Sequence, residues 1–176
     1  MEEIQVMEKR IGRLIAGAGV AALVAGFVGL AQSNVNAATA TSSFAVSASV
    51  TANCTISAGT LAFGAYDPVV ANASANLDQT STISVACTKG ATASVALDNG
   101  SNFSGGRRMK SGTTDFLGYE MYSDSGRTTV WNSTAPVSYT ATSKAASSLT
   151  LYGRVAGGQD VPAGSYSDTV IATITF

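Results

Sequence analysis

Two stretches of strict two-residue alternation, one toward each end of the chain, constrain its fold more than any other feature. Phe44, Val46, Ala48 and Val50 alternate with Ala45, Ser47, Ser49 and Thr51. Val170, Ala172, Ile174 and Phe176 form a second apolar row that runs to the last residue. Successive side chains of a strand point to opposite faces, so each stretch reads as a strand with one apolar face. Chain ends usually fray, and apolar residues gain little there. Two sticky terminal strands leave a sheet edge unmanaged, which is a hazard unless another chain is meant to pair with it.

Between these ends the pattern stays short and β-like. Residues 55–57, Leu61 with Phe63, and residues 82–87, 92–97, 117–122, 130–131, 137–141 and 149–155 read as strands, and the last strand as residues 168–176. They are punctuated by Asp67-Pro68, Asp98-Asn99-Gly100, residues 123–126 and Pro162-Ala163-Gly164. Asn-Gly marks a turn because both residues tolerate positive φ. Ala, Ser, Thr, Gly and Val dominate beyond the first 40 residues, and β-branched residues with frequent glycine disfavour long helices. The expected fold is an all-β sandwich of short strands.

The first 37 residues read as an export signal. Lys9, Arg10 and Arg13 precede an uncharged, largely apolar run over residues 14–30, and Val35-Asn36-Ala37 places small residues where signal peptidase needs them. Cleavage is expected after Ala37, with Ala38 as the other position. An uncleaved anchor is the alternative, since the run is long, although its many Gly and Ala residues weaken it as a span. Met1-Glu2-Glu3 is acidic for such a leader, and Met7 is an alternative start that leaves a short basic one. In an oxidising compartment the two cysteines, Cys54 and Cys87, read as one disulfide.

The composition excludes several kinds of chemistry. With 12% charged residues and a formal net charge of -1, the chain has no basic stripe for nucleic acid. It contains 0 His, which rules out the usual Ser-His-Asp and Cys-His arrangements and weakens any metal site. Most acids lie in expected turns, and Asp115 with Glu120 is the best candidate pair for carboxylate chemistry. Residues 102–114, with Arg107, Arg108 and Lys110, read as a solvated hairpin loop rather than an anion site. Three glycosylation sequons, at Asn72, Asn102 and Asn132, are within chance for this composition. Trp131 and the tyrosines read as core and cross-strand pairs. No cofactor, metal or enzymatic activity is expected.

A set of ordered motifs carries a resemblance. Gly59-Thr60-Leu61-Ala62-Phe63-Gly64-Ala65-Tyr66 comes first, then Ile83-Ser84-Val85-Ala86-Cys87-Thr88 and Gly118-Tyr119-Glu120-Met121-Tyr122-Ser123-Asp124. Pro162-Ala163-Gly164-Ser165-Tyr166-Ser167-Asp168-Thr169-Val170 follows, with Ile174-Thr175-Phe176 at the end. Together, over about residues 44–176, they resemble the spore coat protein U-like domain family, which includes pilins of archaic chaperone–usher systems.

The resemblance implies an incomplete immunoglobulin-like sandwich lacking its last strand, completed in trans by a donor strand. It implies a leader over residues 1–37, a donor segment over 38–50 and a pilin domain over 51–176. Phe44, Val46, Ala48 and Val50 are then the donor residues, and Val170, Ala172, Ile174 and Phe176 the acceptor groove. Cys54 and Cys87 match the family's disulfide positions. The implied partners are identical or related pilin subunits, a periplasmic chaperone and an outer-membrane usher, with export to the cell surface and a part in adhesion and biofilm. A spore or cell coat protein and a tip adhesin are the alternatives.

Overall fold

A computed structural model describes residues 37–176. The expected leader, including the apolar run over residues 14–30, therefore lies outside the described residues. The chain divides into two units, Met1–Val46 and Ser47–Phe176. The second is an antiparallel all-β domain.

Nine strands build it: β1 (Cys54–Ala58), β2 (Leu77–Cys87), β3 (Thr92–Leu97), β4 (Arg108–Ser111), β5 (Asp115–Gly118), β6 (Glu120–Tyr122), β7 (Val137–Thr140), β8 (Ser147–Val155) and β9 (Ala172–Thr175). They form a four-stranded sheet in the order β1-β2-β8-β6, a three-stranded sheet β7-β3-β9, and the hairpin β4-β5. β2 and β8 pair from Leu77↔Val155 to Val85↔Ser147 and form the backbone of the larger sheet. Alternation dictates what they bury. Ile83, Val85 and Cys87 point inward from β2, and Ala93, Val95 and Leu97 from β3. Ile83, Val85, Val95, Val155 and Trp131 are fully buried between the two sheets.

Cys54 and Cys87 stand directly opposite each other in the β1–β2 register and are joined by a disulfide. The bond fixes the first residue of an edge strand to the last residue of a central one. At the β3 exit Gly100 adopts φ +81°, and an added Cβ would run into the Asp168 carboxylate, so the expected turn there needs its glycine.

Leu61 with Phe63 and residues 130–131, read as strands, lie in no named strand, and the last strand is Ala172–Thr175 rather than residues 168–176, because these segments lack a full ladder partner. Three further features depart from the sequence reading. Residues 44–50 form no strand, and Phe44, Val46 and Val50 are more than four-fifths exposed. Alternation makes a segment ready to pair, but only a partner edge supplies the hydrogen bonds that make it a strand. The expected strand over residues 117–122 is two strands. It leaves β4 after Gly118, turns through buried Tyr119, and joins β8 as β6.

The third departure is at residues 102–114, which are not a solvated loop throughout. Arg108–Ser111 pairs with Asp115–Gly118, and Arg107 is buried. The Arg107 guanidinium bonds Glu120 at 2.6 Å and donates to the carbonyls of Asp98 and Trp131. Glu120 is thus committed to Arg107. A buried arginine is tolerable only when its donors are matched in this way.

A candidate strand-acceptor groove

The larger sheet ends at β1 and the smaller one at β9, and these two edges face each other. β1 pairs only with β2, and β9 only with β3. Where a further strand would close the sandwich, the structure has an opening instead. It consists of two adjoining clefts of about 490 and 630 Å³. One wall is the continuation of β1 through residues 58–66, and the other is the approach to β9 through residues 161–172. Leu61, Phe63, Met109 and Tyr166 belong to both clefts and make a continuous apolar floor and rim.

Local chemistry holds both walls apart without using their free edges. On the first wall, the Gly59 N–H donates to the Thr82 carbonyl at 2.9 Å and the Ser81 hydroxyl to the Thr60 carbonyl at 2.9 Å. Farther along, the Tyr66 hydroxyl donates to the Ala156 carbonyl and accepts from the Gln159 N–H. Between these anchors, the backbone groups of residues 61–65 make no hydrogen bond among the described residues. Such a row of free donors and acceptors is what strand addition uses. Gly153 of β8 supplies the space beneath, since a Cβ there would lie 2.7 Å from Leu61 and 2.9 Å from Phe63.

On the second wall, Lys110 and Ser167 exchange backbone hydrogen bonds at 2.8 and 3.0 Å. Asp168 accepts from the Tyr119 hydroxyl at 2.7 Å and from the Asn102 side chain at 2.9 Å. Burial, with the Asp168 carboxylate close by, pushes the Tyr119 phenol well above its ordinary range, so it stays a hydrogen-bond donor. Asp98 accepts from the N–H groups of Gly100 and Ile171 and pins the start of β9. The groove is preformed, apolar and open to backbone pairing along its length. It can hold an extended peptide with alternating apolar side chains.

The residues expected to form the groove wall have different fates. Val170 and Ala172 line the first cleft, while Ile174 packs against the core farther along β9. Phe176 is 56% exposed. The expected donor residues Phe44, Val46, Ala48 and Val50 are all exposed. The opposite wall, residues 58–66, is not among the residues expected to line the groove, although the Leu61–Phe63 alternation and the flanking Gly59 and Gly64 are legible signs of an edge segment. Met109 carries no such sign, because its place in the groove depends on where the β4–β5 hairpin folds.

Elsewhere, polar side chains serve the fold. Arg154 holds Asp78 at 2.7 and 2.8 Å, which with Arg127 nearby keeps that carboxyl below its usual range. Asp124 accepts from the N–H groups of Thr128 and Thr129 and is lowered likewise. Asn72 is buried and bonded to Asp67 and Ala75, so its sequon is not available for a glycan. No cluster of three His, Cys, Asp or Glu side chains that could hold a metal occurs among the described residues.

The chain matches the Spore Coat Protein U domain over residues 40–173. It is 39% identical over 172 residues to Protein U of Myxococcus xanthus, a match covering 89% of this chain and 96% of that protein. Among solved structures it is similar to a chain of the CsuC–CsuE chaperone–tip adhesion subunit pre-assembly complex from the archaic chaperone–usher Csu pili of Acinetobacter baumannii. That likeness has a TM-score of 0.55 at 23% identity and covers 72% of this chain but only 40% of that one, so it speaks to the fold. With three-quarters of its length inside the family's domain, all-β architecture and the expected disulfide, the chain belongs to the spore coat protein U domain family.

Proposed function

We propose that this protein is a structural subunit of a chaperone–usher surface fibre that polymerises by strand donation. Residues 38–50 of one subunit add to the β1 and β9 edges of the next and close its sandwich. The observation that carries this reading is the preformed apolar groove between two edge strands, each paired on one side only, in a chain that also has an exposed segment of matching alternation. Phe44, Val46, Ala48 and Val50 are the donor side chains. Val170, Ala172 and Ile174, facing Leu61 and Phe63, are the wall that receives them. Phe176 ends that wall.

Because each donor enters a different groove, the contact is heterologous and open-ended, which builds filaments rather than closed rings. A groove this apolar needs cover during export, so the proposed partners are a periplasmic chaperone that lends a strand and an outer-membrane usher that exchanges it. The product is a surface fibre supporting adhesion and biofilm, with no catalytic role. Deleting residues 38–50 should abolish fibres seen by electron microscopy of the producing cells, while the exported domain remains detectable. Fibres that persist would refute the donor assignment. A coat role is the second reading, favoured by the family's name and by the match to Protein U. An amorphous surface layer in place of fibres would select it.

A further inference from the structure

Resting on the strand-donation reading, we propose that the way the donor segment leaves its domain bars self-closure. It keeps residues 38–50 out of their own groove and reserves that groove for a second copy of this chain. Such a bar is needed. A strand tethered by a short flexible link stands at its own groove at an effective concentration of about millimolar, and only a link that cannot follow the required path removes that advantage. Ala48 and Val50 belong to the same unit as the groove, yet both are exposed rather than buried in it.

The link between donor and domain is residues 51–53. The groove opens beyond Ala58, whereas the segment joins the domain at Cys54, about 13 Å back along β1. To reach its own groove, the chain must reverse within the link and run back along the free edge of β1. A two-residue turn at Thr51-Ala52 would make Val50 and Asn53 a hydrogen-bonded pair. Asn53 is already committed on the β2 side. Its N–H donates to the Thr88 hydroxyl at 3.1 Å, and its carbonyl accepts from the Thr88 N–H at 2.9 Å. The Thr88 carbonyl, the ordinary ladder partner, accepts from the Ala91 N–H, so the hydroxyl takes its place. The Cys54–Cys87 disulfide holds the adjacent pair of the same ladder. A wider turn would consume Val50, one of the donor side chains. Val50, Thr51 and Ala52 are also poor turn residues, since none takes positive φ readily and two are β-branched.

The test supplies the missing turn. A Gly-Ser-Asn-Gly-Ser insert between Val50 and Thr51 of the full chain leaves the Thr88 contacts intact. The inserted chain should stay monomeric in size-exclusion chromatography, with a polymer yield at least tenfold below that of the unsubstituted chain. Its melting midpoint should exceed that of a chain lacking residues 38–50, and a peptide of residues 38–50 should not raise it further. Adding Phe44→Ser, Val46→Ser and Val50→Ser to the inserted chain should lower the midpoint and restore the response to peptide. The same insert between Ala38 and Thr39, ahead of the donor residues, should leave polymer yield unchanged. An inserted chain that polymerises like the unsubstituted one, or that stays monomeric yet still gains stability from the peptide, would overturn the bar and leave strand donation standing. No response to the peptide by the chain lacking residues 38–50 would overturn both.

Discussion

The two sides of the sandwich are built on opposite principles. On the closed side, Trp131 is fully buried and donates its indole N–H to the Val95 carbonyl at 2.8 Å, and the neighbouring Arg107 satisfies three groups at once. On the open side, Leu61, Phe63 and Val170 line a cleft with nothing of this domain above them, and residues 61–65 keep their backbone groups free. Both sides are equally preformed. The difference is that one completes its own packing and hydrogen bonding, whereas the other leaves apolar side chains and backbone groups open, as the proposed strand donation requires. Damage to the first should therefore unfold the monomer, and damage to the second should mainly prevent assembly.

The largest effect should come from the closed side. Trp131→Ala removes the largest buried side chain and its hydrogen bond to the Val95 carbonyl, and should cost about 3–5 kcal/mol in urea unfolding of the monomer. A loss below about 1 kcal/mol would mean that this side is not the stabilising one.

Replacing Cys54 and Cys87 by Ser tests the boundary between the sides, because the bond ties edge strand β1 to β2. With a separation of 33 residues, the chain-entropy argument gives a loss of roughly 3–4 kcal/mol, read by the same unfolding assay. Native-state hydrogen exchange should show β1 opening first in that variant.

Gly153→Val probes the open side. Its side chain would collide with Leu61 and Phe63, so the β1 continuation must shift into the groove. Overpacking of this kind costs about 1–3 kcal/mol of monomer stability. Polymer yield should fall far more than that loss accounts for. Proportionate losses in the two would erase the distinction between the sides.

The smallest effect is on pH. The carboxyls of Asp78, held by Arg154, of Asp67, bonded by the Val69 and Val70 N–H groups, and of Asp124 are all lowered by folding. Their contribution is complete above the unfolded value near 4 and is lost as pH falls through the lower folded values. Melting midpoints should be flat from pH 7 to about 5 and fall below about 4, less steeply for Asp78→Asn. At the alkaline end the sign reverses. The raised Tyr119 phenol contributes stability below the unfolded value near 10 and loses it above, and Tyr119→Phe should remove that loss.

Much of this was legible in the sequence. Residues 92–97 form β3 with the bounds that alternation gave them, because both of its faces are set by nearest neighbours in the chain. The disulfide was expected from two cysteines behind a leader that reads as an export signal, and Cys54 and Cys87 are joined. The two apolar rows proposed here as donor and acceptor were visible as alternation at positions 44–50 and 170–176. What stayed hidden depends on distant contacts. Arg107 looked solvated because no local pattern announces that Asp98, Glu120 and Trp131 converge on it. Only the β4–β5 hairpin's path places Met109 beside the cleft. Residues 59–66 lie in no strand, so their role as a wall appears only once the facing edge is in place.

The central claim, that the groove is an unfinished sheet waiting for this segment, can be measured directly. A chain lacking residues 38–50 is mixed with a synthetic peptide of that sequence, and the thermal unfolding of the complex is followed. The account predicts a higher midpoint that rises with peptide concentration, and no shift for a peptide with Phe44, Val46 and Val50 all replaced by Ser. An unchanged midpoint with the native peptide, or an equal shift with the serine peptide, would contradict it.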